Sequence, residues 1–185
     1  MAGEAKGRLE TVAAAATGHA GLPPVHLWNP PLCGDIGLKI ARDGTWFYQN
    51  SPITRPGLVK LFASVLRRDG DSHFLVTPVE KVPIEVEDAP FLAVELRQEG
   101  DHLIFRTNLD DEVRVDDEHI LRFEQDATGG LKPYLRVRGN LWALVSRALT
   151  FDLVDLMQVR QMNGRQVTGV PSGDAFFVVE MDATE

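Results

Sequence analysis

The chain has 185 residues, a length that can bury roughly 70% of its unfolded surface without disulfides or metals as supports. Its 27 acidic residues against 19 basic ones give a net charge of −8, which argues against a general affinity for nucleic acid but not against a local basic pocket. The single cysteine, Cys33, excludes an intramolecular disulfide and a thiol zinc cluster.

The first segment, residues 1–20, is interpreted as an N-terminal helix or flexible segment. Its apolar run, residues 12–16, is too short for a secretory signal, and no segment approaches the roughly 20 apolar residues that span a bilayer. We therefore expect a cytoplasmic protein that does not bind membranes. The prolines of residues 21–31 then predict an extended arm, anchored by Leu27 and Trp28.

A hairpin, a helix and a strand follow the arm. Asp43-Gly44 lies between two alternating apolar runs and predicts a tight hairpin turn, because glycine adopts a positive φ without strain. Thr54 is predicted to cap a helix that has Pro56 in its first turn and ends at Arg67-Arg68-Asp69-Gly70. A strand over residues 73–77 completes this unit.

The same order of elements returns near the C-terminus. The turn pair Gly139-Asn140 separates two short apolar runs, a helix begins at about Arg147, and a strand covers residues 175–179. Trp46 matches Trp142 when the two units are aligned, and leucine and phenylalanine pairs follow the same alignment with small changes in loop length. The repeat predicts an internally duplicated core of hairpin, helix and strand.

Between the two units, apolar residues recur at every second position. Strands are predicted over residues 82–86, 91–96, 102–106, 112–115 and 120–123. Turns at short, regular spacing indicate an antiparallel sheet rather than alternating strand–helix crossovers. The predicted fold class is therefore α+β with two domains. Residues 21–78 form an N-terminal α+β domain that includes the Pro-rich arm, and residues 79–185 form a strand-rich C-terminal α+β domain, an antiparallel sheet plus a helix.

Few residue patterns point to catalysis. The five histidines show no metal-ligand spacing, and no glycine-rich dinucleotide or phosphate loop occurs, so we expect no metal and no cofactor. Ser172 lies in a simple Pro-Ser-Gly turn. The carboxylates between Asp110 and Glu118 are interpreted as a solvated rim, with calcium binding and acid–base chemistry as the less favoured alternatives.

Two clusters indicate a ligand site. Arg55 and Lys60 lie at the predicted helix start, where free backbone N–H groups favour anions; a well-capped helix is the alternative interpretation. Thr77, Glu80 and Lys81 form a polar stretch at the predicted domain junction, where ligand sites often form. A capping-type turn of Thr77 with Glu80 is the alternative there.

Several short motifs occur together in this chain. They are Asp43-Gly44-Thr45-Trp46-x-Tyr48, Ser51-Pro52-Ile53-x-Arg55, Leu58-Val59-Lys60-Leu61-Phe62, Leu75-Val76-Thr77-Pro78-Val79-Glu80-Lys81, Glu87-Asp88-Ala89-Pro90-Phe91-Leu92, Phe105-x-Thr107-Asn108 and Pro133-Tyr134-Leu135-x-Val137. As a set they resemble the proteobacterial family known as domain of unknown function 1285, from about Pro23 to the end of the chain. No activity comes with this resemblance.

The resemblance implies a duplicated α+β core and a C-terminal domain loosely like a pleckstrin-homology fold. It also implies a cleft between the domains suited to a small, nucleotide-like ligand, and a link to signalling. The cleft candidates that it implies, matched motif by motif, are Trp46, Tyr48, Arg55, Lys60, Thr77, Glu80, Lys81, Thr107 and Asn108.

The favoured hypothesis is a small-ligand-binding regulatory or signalling protein with its site at the domain interface. Arg55 and Lys60 would hold an anionic, nucleotide-like group, and Trp46 or Tyr48 would stack on a ring. The alternative is a protein-interaction module, in which the sheet and the Pro-rich arm dock a protein partner without a small-molecule ligand. A hydrolase that works through Glu80 and the Asp116-Asp117 region is the least favoured.

Overall fold

The computed structural model describes residues 7, 10–14, 17 and 21–179. Of the predicted N-terminal helix, residues 10–14 are helical, and most of the remainder lies outside the described residues. The chain divides into two compact units, Met1–Asp88 and Ala89–Glu185. The sequence predicted the division near Pro78 instead, because it could not show that the strand after Pro78 pairs with the first hairpin. No helix among the described residues is long and apolar enough to cross a membrane.

The N-terminal unit contains a mixed six-stranded sheet and a helix whose Phe62 packs on Trp46 of the sheet. Its elements are a 3₁₀ turn (Val25–Leu27), helix α1 (Pro56–Ser64) and strands β1 (Leu38–Ile40), β2 (Trp46–Tyr48), β3 (Ser51–Pro52), β4 (Leu66–Asp69), β5 (Ser72–Val76) and β6 (Lys81–Val86). The strand order is β3-β2-β1-β6-β5-β4. The central strands β1 and β6 are parallel, and the outer pairs are antiparallel.

Local sequence signals predicted the first hairpin correctly and the end of α1 incorrectly. Gly44 has φ 83° in the turn between β1 and β2, as the Asp-Gly pair predicted. Helix α1, however, ends at Ser64, and the basic run expected in its last turn belongs to β4. Leu66 pairs with Leu75 of the next strand, so sheet pairing with β5 replaces the extra helical turn.

The described part of the C-terminal unit, residues 89–179, contains two sheets and one helix. Its elements are β7 (Phe91–Glu99), β8 (His102–Thr107), β9 (Glu112–Arg114), β10 (Leu121–Gln125), β11 (Leu131–Arg138), β12 (Leu141–Val145), α2 (Arg147–Asp155), β13 (Gln158–Met162), β14 (Arg165–Ser172) and β15 (Ala175–Val178). The larger sheet has the order β10-β11-β12-β7-β8-β9, and β13-β14-β15 form a separate antiparallel sheet.

The two six-stranded sheets share one topology, which supports an internal duplication. In each sheet two three-stranded meanders meet through the first and last strands, which run parallel at the centre. The residue alignment predicted from sequence does not follow this equivalence. Trp46 lies on the second strand of its sheet and Trp142 on the sixth strand of the other. A pleckstrin-homology-like C-terminal domain stays a prediction.

Candidate functional site

Two of the predicted site residues, Trp46 and Tyr48, lie on strand β2 and share one face of it, because side chains alternate along a strand. Trp46 is 1% exposed and packs on Phe62 of α1, with ring centroids 6.4 Å apart. Its ring therefore has no free face on which a ligand could stack. The indole Nε1 of Trp46 and the hydroxyl of Tyr48 are both buried without a hydrogen-bond partner among the described residues.

Arg55 and Lys60 are exposed and lie at the start and middle of α1. The N-cap residue is Arg55 rather than the predicted Thr54, and no side chain caps the helix. The backbone N–H groups of Leu58 and Val59 donate to the Arg55 carbonyl at 3.0 and 3.2 Å. Since proline has no N–H, Gly57 is the first-turn residue whose amide can serve a ligand. The Arg55 guanidinium forms no ion pair with a described residue.

Thr77 is fully buried and closes the turn between β5 and β6. Its hydroxyl accepts the Glu80 N–H at 3.2 Å, and its own N–H donates to the Glu80 carbonyl at 2.9 Å. These bonds form the capping-type turn that is the alternative interpretation of this stretch. The Glu80 carboxylate takes no part in it: Glu80 is 8% exposed, and its Oε1 has no partner among the described residues.

Lys81 belongs to a charged network that fixes the Pro-rich arm. Its ammonium lies 2.7 Å from Asp69 and 3.9 Å from the centre of the Phe74 ring. Hydrogen bonds from Arg67, at 2.8 Å to both Asp69 oxygens, together with Lys81 hold the pKa of the Asp69 carboxyl below its usual value.

The arm itself is held mainly through its backbone. The Arg67 guanidinium donates to the carbonyls of Val25 and Trp28 at 2.8 and 2.6 Å. Trp28 is half-buried, whereas Leu27 is 72% exposed, so the prediction that Leu27 anchors the arm is wrong. A backbone carbonyl needs only a donor, and the sequence of the arm did not show that Arg67 supplies it.

Thr107 and Asn108 lie in the C-terminal unit, where they hold the loop between β8 and β9. The Thr107 hydroxyl accepts the N–H groups of Leu109 and Asp111 at 3.2 and 3.1 Å. Asn108 forms hydrogen bonds with both backbone groups of Leu92. Its N–H donates to the Leu92 carbonyl at 2.8 Å, and its side-chain oxygen accepts the Leu92 N–H at 3.0 Å. Both residues therefore have structural hydrogen bonds that explain their presence.

Ser172 is also structural. It is 1% exposed, donates its hydroxyl proton to the Val115 carbonyl at 2.7 Å, and accepts the Leu103 N–H at 3.0 Å. These bonds join β14 of the small sheet to β8 and to the residue after β9. A hydroxyl with its proton donated to a backbone carbonyl is not activated as a nucleophile.

A surface cavity of about 310 Å³ lies on the N-terminal unit and contains none of the predicted site residues. The charged side chains that line it are Asp35, Lys39, Glu85 and Glu87. Lys39 pairs with Glu87 at 2.6 Å and with Glu85 at 3.3 Å, and these bonds raise the pKa of the lysine. The carboxylate excess disfavours an anionic ligand there. Sequence reasoning missed this group because it depends on the parallel pairing of β1 with β6.

The predicted site residues thus do not form one group within either unit. Seven of them lie in the N-terminal unit, and Thr107 and Asn108 lie in the C-terminal unit. The Ile53 N–H donates to the Trp46 carbonyl at 2.8 Å, so the segment that leads to Arg55 and α1 runs beside β2, the strand of Trp46 and Tyr48.

Comparison with known proteins gives the family. One family model, "Domain of unknown function (DUF1285), N-terminal domain", matches residues 23–89, and a second, "Protein of unknown function (DUF1285), C-terminal domain", matches residues 90–179. No curated protein matches the chain significantly.

Two solved structures are similar to the chain. The crystal structure of a DUF1285 family protein from Silicibacter pomeroyi DSS-3 is 44% identical, with 94% of this chain and 95% of that one covered at a TM-score of 0.83. The crystal structure of a DUF1285 family protein from Shewanella baltica OS155 is 30% identical, with 64% and 91% covered at a TM-score of 0.54. With both family models covering residues 23–179 in succession, the chain belongs to the DUF1285 family.

Proposed function

We propose that this protein is a regulatory binding protein for a small anionic molecule, with the site at the corner of β2 and α1. The observation that carries the proposal is the pair of unpartnered donors on β2, the Trp46 Nε1–H and the Tyr48 hydroxyl. A buried polar group without a partner costs about 1–3 kcal/mol, and native proteins contain few of them. A bound polar molecule at this corner would supply the missing acceptors.

The chemistry of the corner favours an anion. The Trp46 indole offers only a donor, the Tyr48 hydroxyl offers a donor as well as an acceptor, and Arg55 offers a guanidinium that pairs with no described residue. The amide of Gly57 adds a donor at the positive end of the α1 dipole. Donors of this kind suit a phosphate or carboxylate group, as in a nucleotide or a phosphorylated metabolite.

Four of the other candidates already have partners within the fold, which favours this corner as the site. Thr77, Thr107 and Asn108 use their side chains in turns and loops, and Lys81 is paired with Asp69. Tyr48 is half-buried and remains the aromatic residue that can border a ligand, since Trp46 is covered by α1.

A thermal-shift screen tests the proposal with inorganic phosphate, nucleotides and phosphorylated sugars as the probes. A ligand at about 100 times its Kd should add roughly 2.7 kcal/mol to the free energy of unfolding. Arg55→Ala should remove the shift. Arg114→Ala, which deletes an exposed arginine on β9 of the other unit, is the matched control and should retain it. The site would be excluded if none of the anions tested raised the melting temperature. It would also be excluded if Arg55→Ala and Arg114→Ala showed equal shifts.

Exposed apolar residues on the Pro-rich arm favour the second candidate, a protein-interaction module. Leu22 and Leu27 are 56% and 72% exposed on a segment that is held through its backbone, and Leu32, the residue that follows the arm, is 66% exposed. Under this proposal Leu27→Ser leaves the free energy of unfolding unchanged but lowers the affinity for a protein partner by a measurable factor. A partner that binds Leu27→Ser as tightly as the unmodified protein would refute the role of the arm.

A further inference from the structure

The hairpin of β13 and β14 in the C-terminal unit ends in an exposed sheet edge. β13 is the outer strand of its three-stranded sheet, and all five of its residues are exposed, with Val159 at 64% and Met162 at 41%. Asn163 and Gly164 connect the strands with φ of 51° and 77°, the combination of a tight two-residue hairpin turn. The register from residue 158 to 162 has no bulge.

The backbone of β13 directs hydrogen-bonding groups outward at alternate residues, where no described residue pairs with them. Thr168 of β14 accepts the Val179 N–H at 2.8 Å with its carbonyl, so this carbonyl points away from β13. Thr168 pairs with Val159, which makes this a non-hydrogen-bonded pair and turns the N–H and C=O of Val159 outward as well. By the same alternation, the N–H and C=O of Gln161 point outward.

The charge of this hairpin is opposite to that of the chain. Residues 156–173 contain Arg160 and Arg165 and no Asp or Glu, whereas the whole chain carries a net charge of −8. Neither arginine forms an ion pair with any residue that the structure describes. They lie on one face of the hairpin, because Arg160 pairs with Val167 and Met162 pairs with Arg165.

The edge lacks the features that usually prevent strand addition. Natural edge strands are protected by proline, by bulges, by shortness or by charged side chains, above all lysine. β13 has no proline and no bulge. Its one charge, Arg160, is turned onto the ring of Phe176, with 4.3 Å between the guanidinium carbon and the ring centre. Gly169 lies against the same ring and leaves no room for a Cβ.

We propose that β13 is a docking edge for an acidic, extended segment of a partner protein, which adds to the sheet as a further strand. The outward N–H and C=O groups of Val159 and Gln161 supply the backbone hydrogen bonds. Arg160 and Arg165 make one face of the hairpin positive, and this charge favours acidic side chains on the same face of the added strand. Binding through free backbone groups favours a peptide over a nucleic acid, which could use only the arginines. This site is independent of the anion site on the N-terminal unit.

The test is direct binding of short fluorescein-labelled synthetic peptides to the full chain, followed by fluorescence polarisation. The probes alternate valine with glutamate, lysine or serine. The glutamate peptide binds tightest, and its affinity falls as salt is raised. Gln161→Pro weakens binding about tenfold or more, because it removes one outward donor and blocks close approach without removing a bond to β14. Gln161→Ala, the matched control, keeps the N–H and retains the affinity.

Each other outcome contradicts the proposal. These outcomes are no binding of the glutamate peptide, equal binding of the lysine peptide, equal affinity of Gln161→Pro and Gln161→Ala, and tighter binding of a thymidine oligonucleotide than of any peptide. Sedimentation equilibrium adds a further one. A dimer that dissociates in Gln161→Pro but not in Gln161→Ala would show that the edge binds a second copy of this chain instead.

Discussion

Substitution of Ser172 by alanine should destabilise the C-terminal unit strongly, although it removes only one oxygen atom. The Ser172 hydroxyl bonds the Val115 carbonyl and the Leu103 N–H, and all three residues are at most 1% exposed. In the alanine variant both backbone groups would be buried without a partner.

The magnitude follows from the number of groups left unpaired. Each buried backbone group that loses its partner costs about 1–3 kcal/mol, so the two together cost about 2–4 kcal/mol once some relaxation is allowed. Whole domains are stable by only about 5–15 kcal/mol, which makes this a large fraction of the total. For a unit of this size the melting temperature should fall by about 10 °C or more.

Urea denaturation followed by circular dichroism measures the loss, with hydrogen exchange of the Leu103 amide as the local readout. Ser64→Ala is the matched control: Ser64 is half-buried and donates only to the Leu61 carbonyl one turn earlier in α1, at 2.6 Å. Its loss should change stability by no more than about 0.5 kcal/mol, because alanine is the better helix former. If Ser172→Ala also stays within about 0.5 kcal/mol, or if the Leu103 amide keeps its protection, the two hydrogen bonds do not stabilise the unit.

Three further predictions concern the N-terminal unit. Tyr48→Phe should leave the free energy of unfolding of the ligand-free protein unchanged or raise it by up to about 1 kcal/mol, since the lost hydroxyl has no partner among the described residues. A clear loss of stability in urea denaturation would show that the hydroxyl does have a partner. Burial, with a smaller effect of Arg68, lowers the pKa of His73 to about 4. As the pH falls, His73 therefore binds a proton in the unfolded chain at a higher pH than in the folded protein. The free energy of unfolding should therefore decrease by about 1–2 kcal/mol as the pH is lowered from 6.5 to 4, a value reduced to allow for the partial exposure of the imidazole to solvent. His73→Gln should abolish this pH dependence in denaturation curves. Asp69→Asn should lower the free energy of unfolding by about 1 kcal/mol at neutral pH, with less effect below the lowered pKa of the carboxyl. It should also increase hydrogen exchange in the arm. Unchanged exchange would show that the charged network does not hold the arm.

Local signals in the sequence predicted the elements whose geometry is local. The Asp43-Gly44 turn needs only a residue that accepts positive φ, and the hairpin is where it was predicted. Asn163-Gly164 is the same type of turn signal and connects β13 to β14, two strands that are absent from the sequence-based prediction. Sequence reasoning failed where pairing is non-local, as in the parallel pairs β1–β6 and β7–β12.

The candidate site was predictable to a similar extent. Residue types and motifs selected Trp46, Tyr48 and Glu80, and all three have a buried polar atom without a partner among the described residues. The same reasoning selected Thr77 and Thr107, whose hydroxyls accept backbone N–H groups in turns. A polar residue next to a strand end looks the same in sequence whether it binds a ligand or its own backbone. Only the hydrogen-bond partners distinguish the two cases.

This distinction also predicts how the two groups of residues should respond to substitution. Removing a side chain that serves its own backbone, such as Thr77, lowers stability with or without ligand, because the backbone groups lose their partner in both states. Removing an unpartnered group, such as the Tyr48 hydroxyl, has its cost only in the bound state, so it lowers affinity and spares the free protein. A residue whose substitution lowers affinity more than stability therefore belongs to the site. The proposed site therefore predicts that Tyr48→Phe and Arg55→Ala lower the affinity more than the stability, whereas Thr77→Ala lowers the stability.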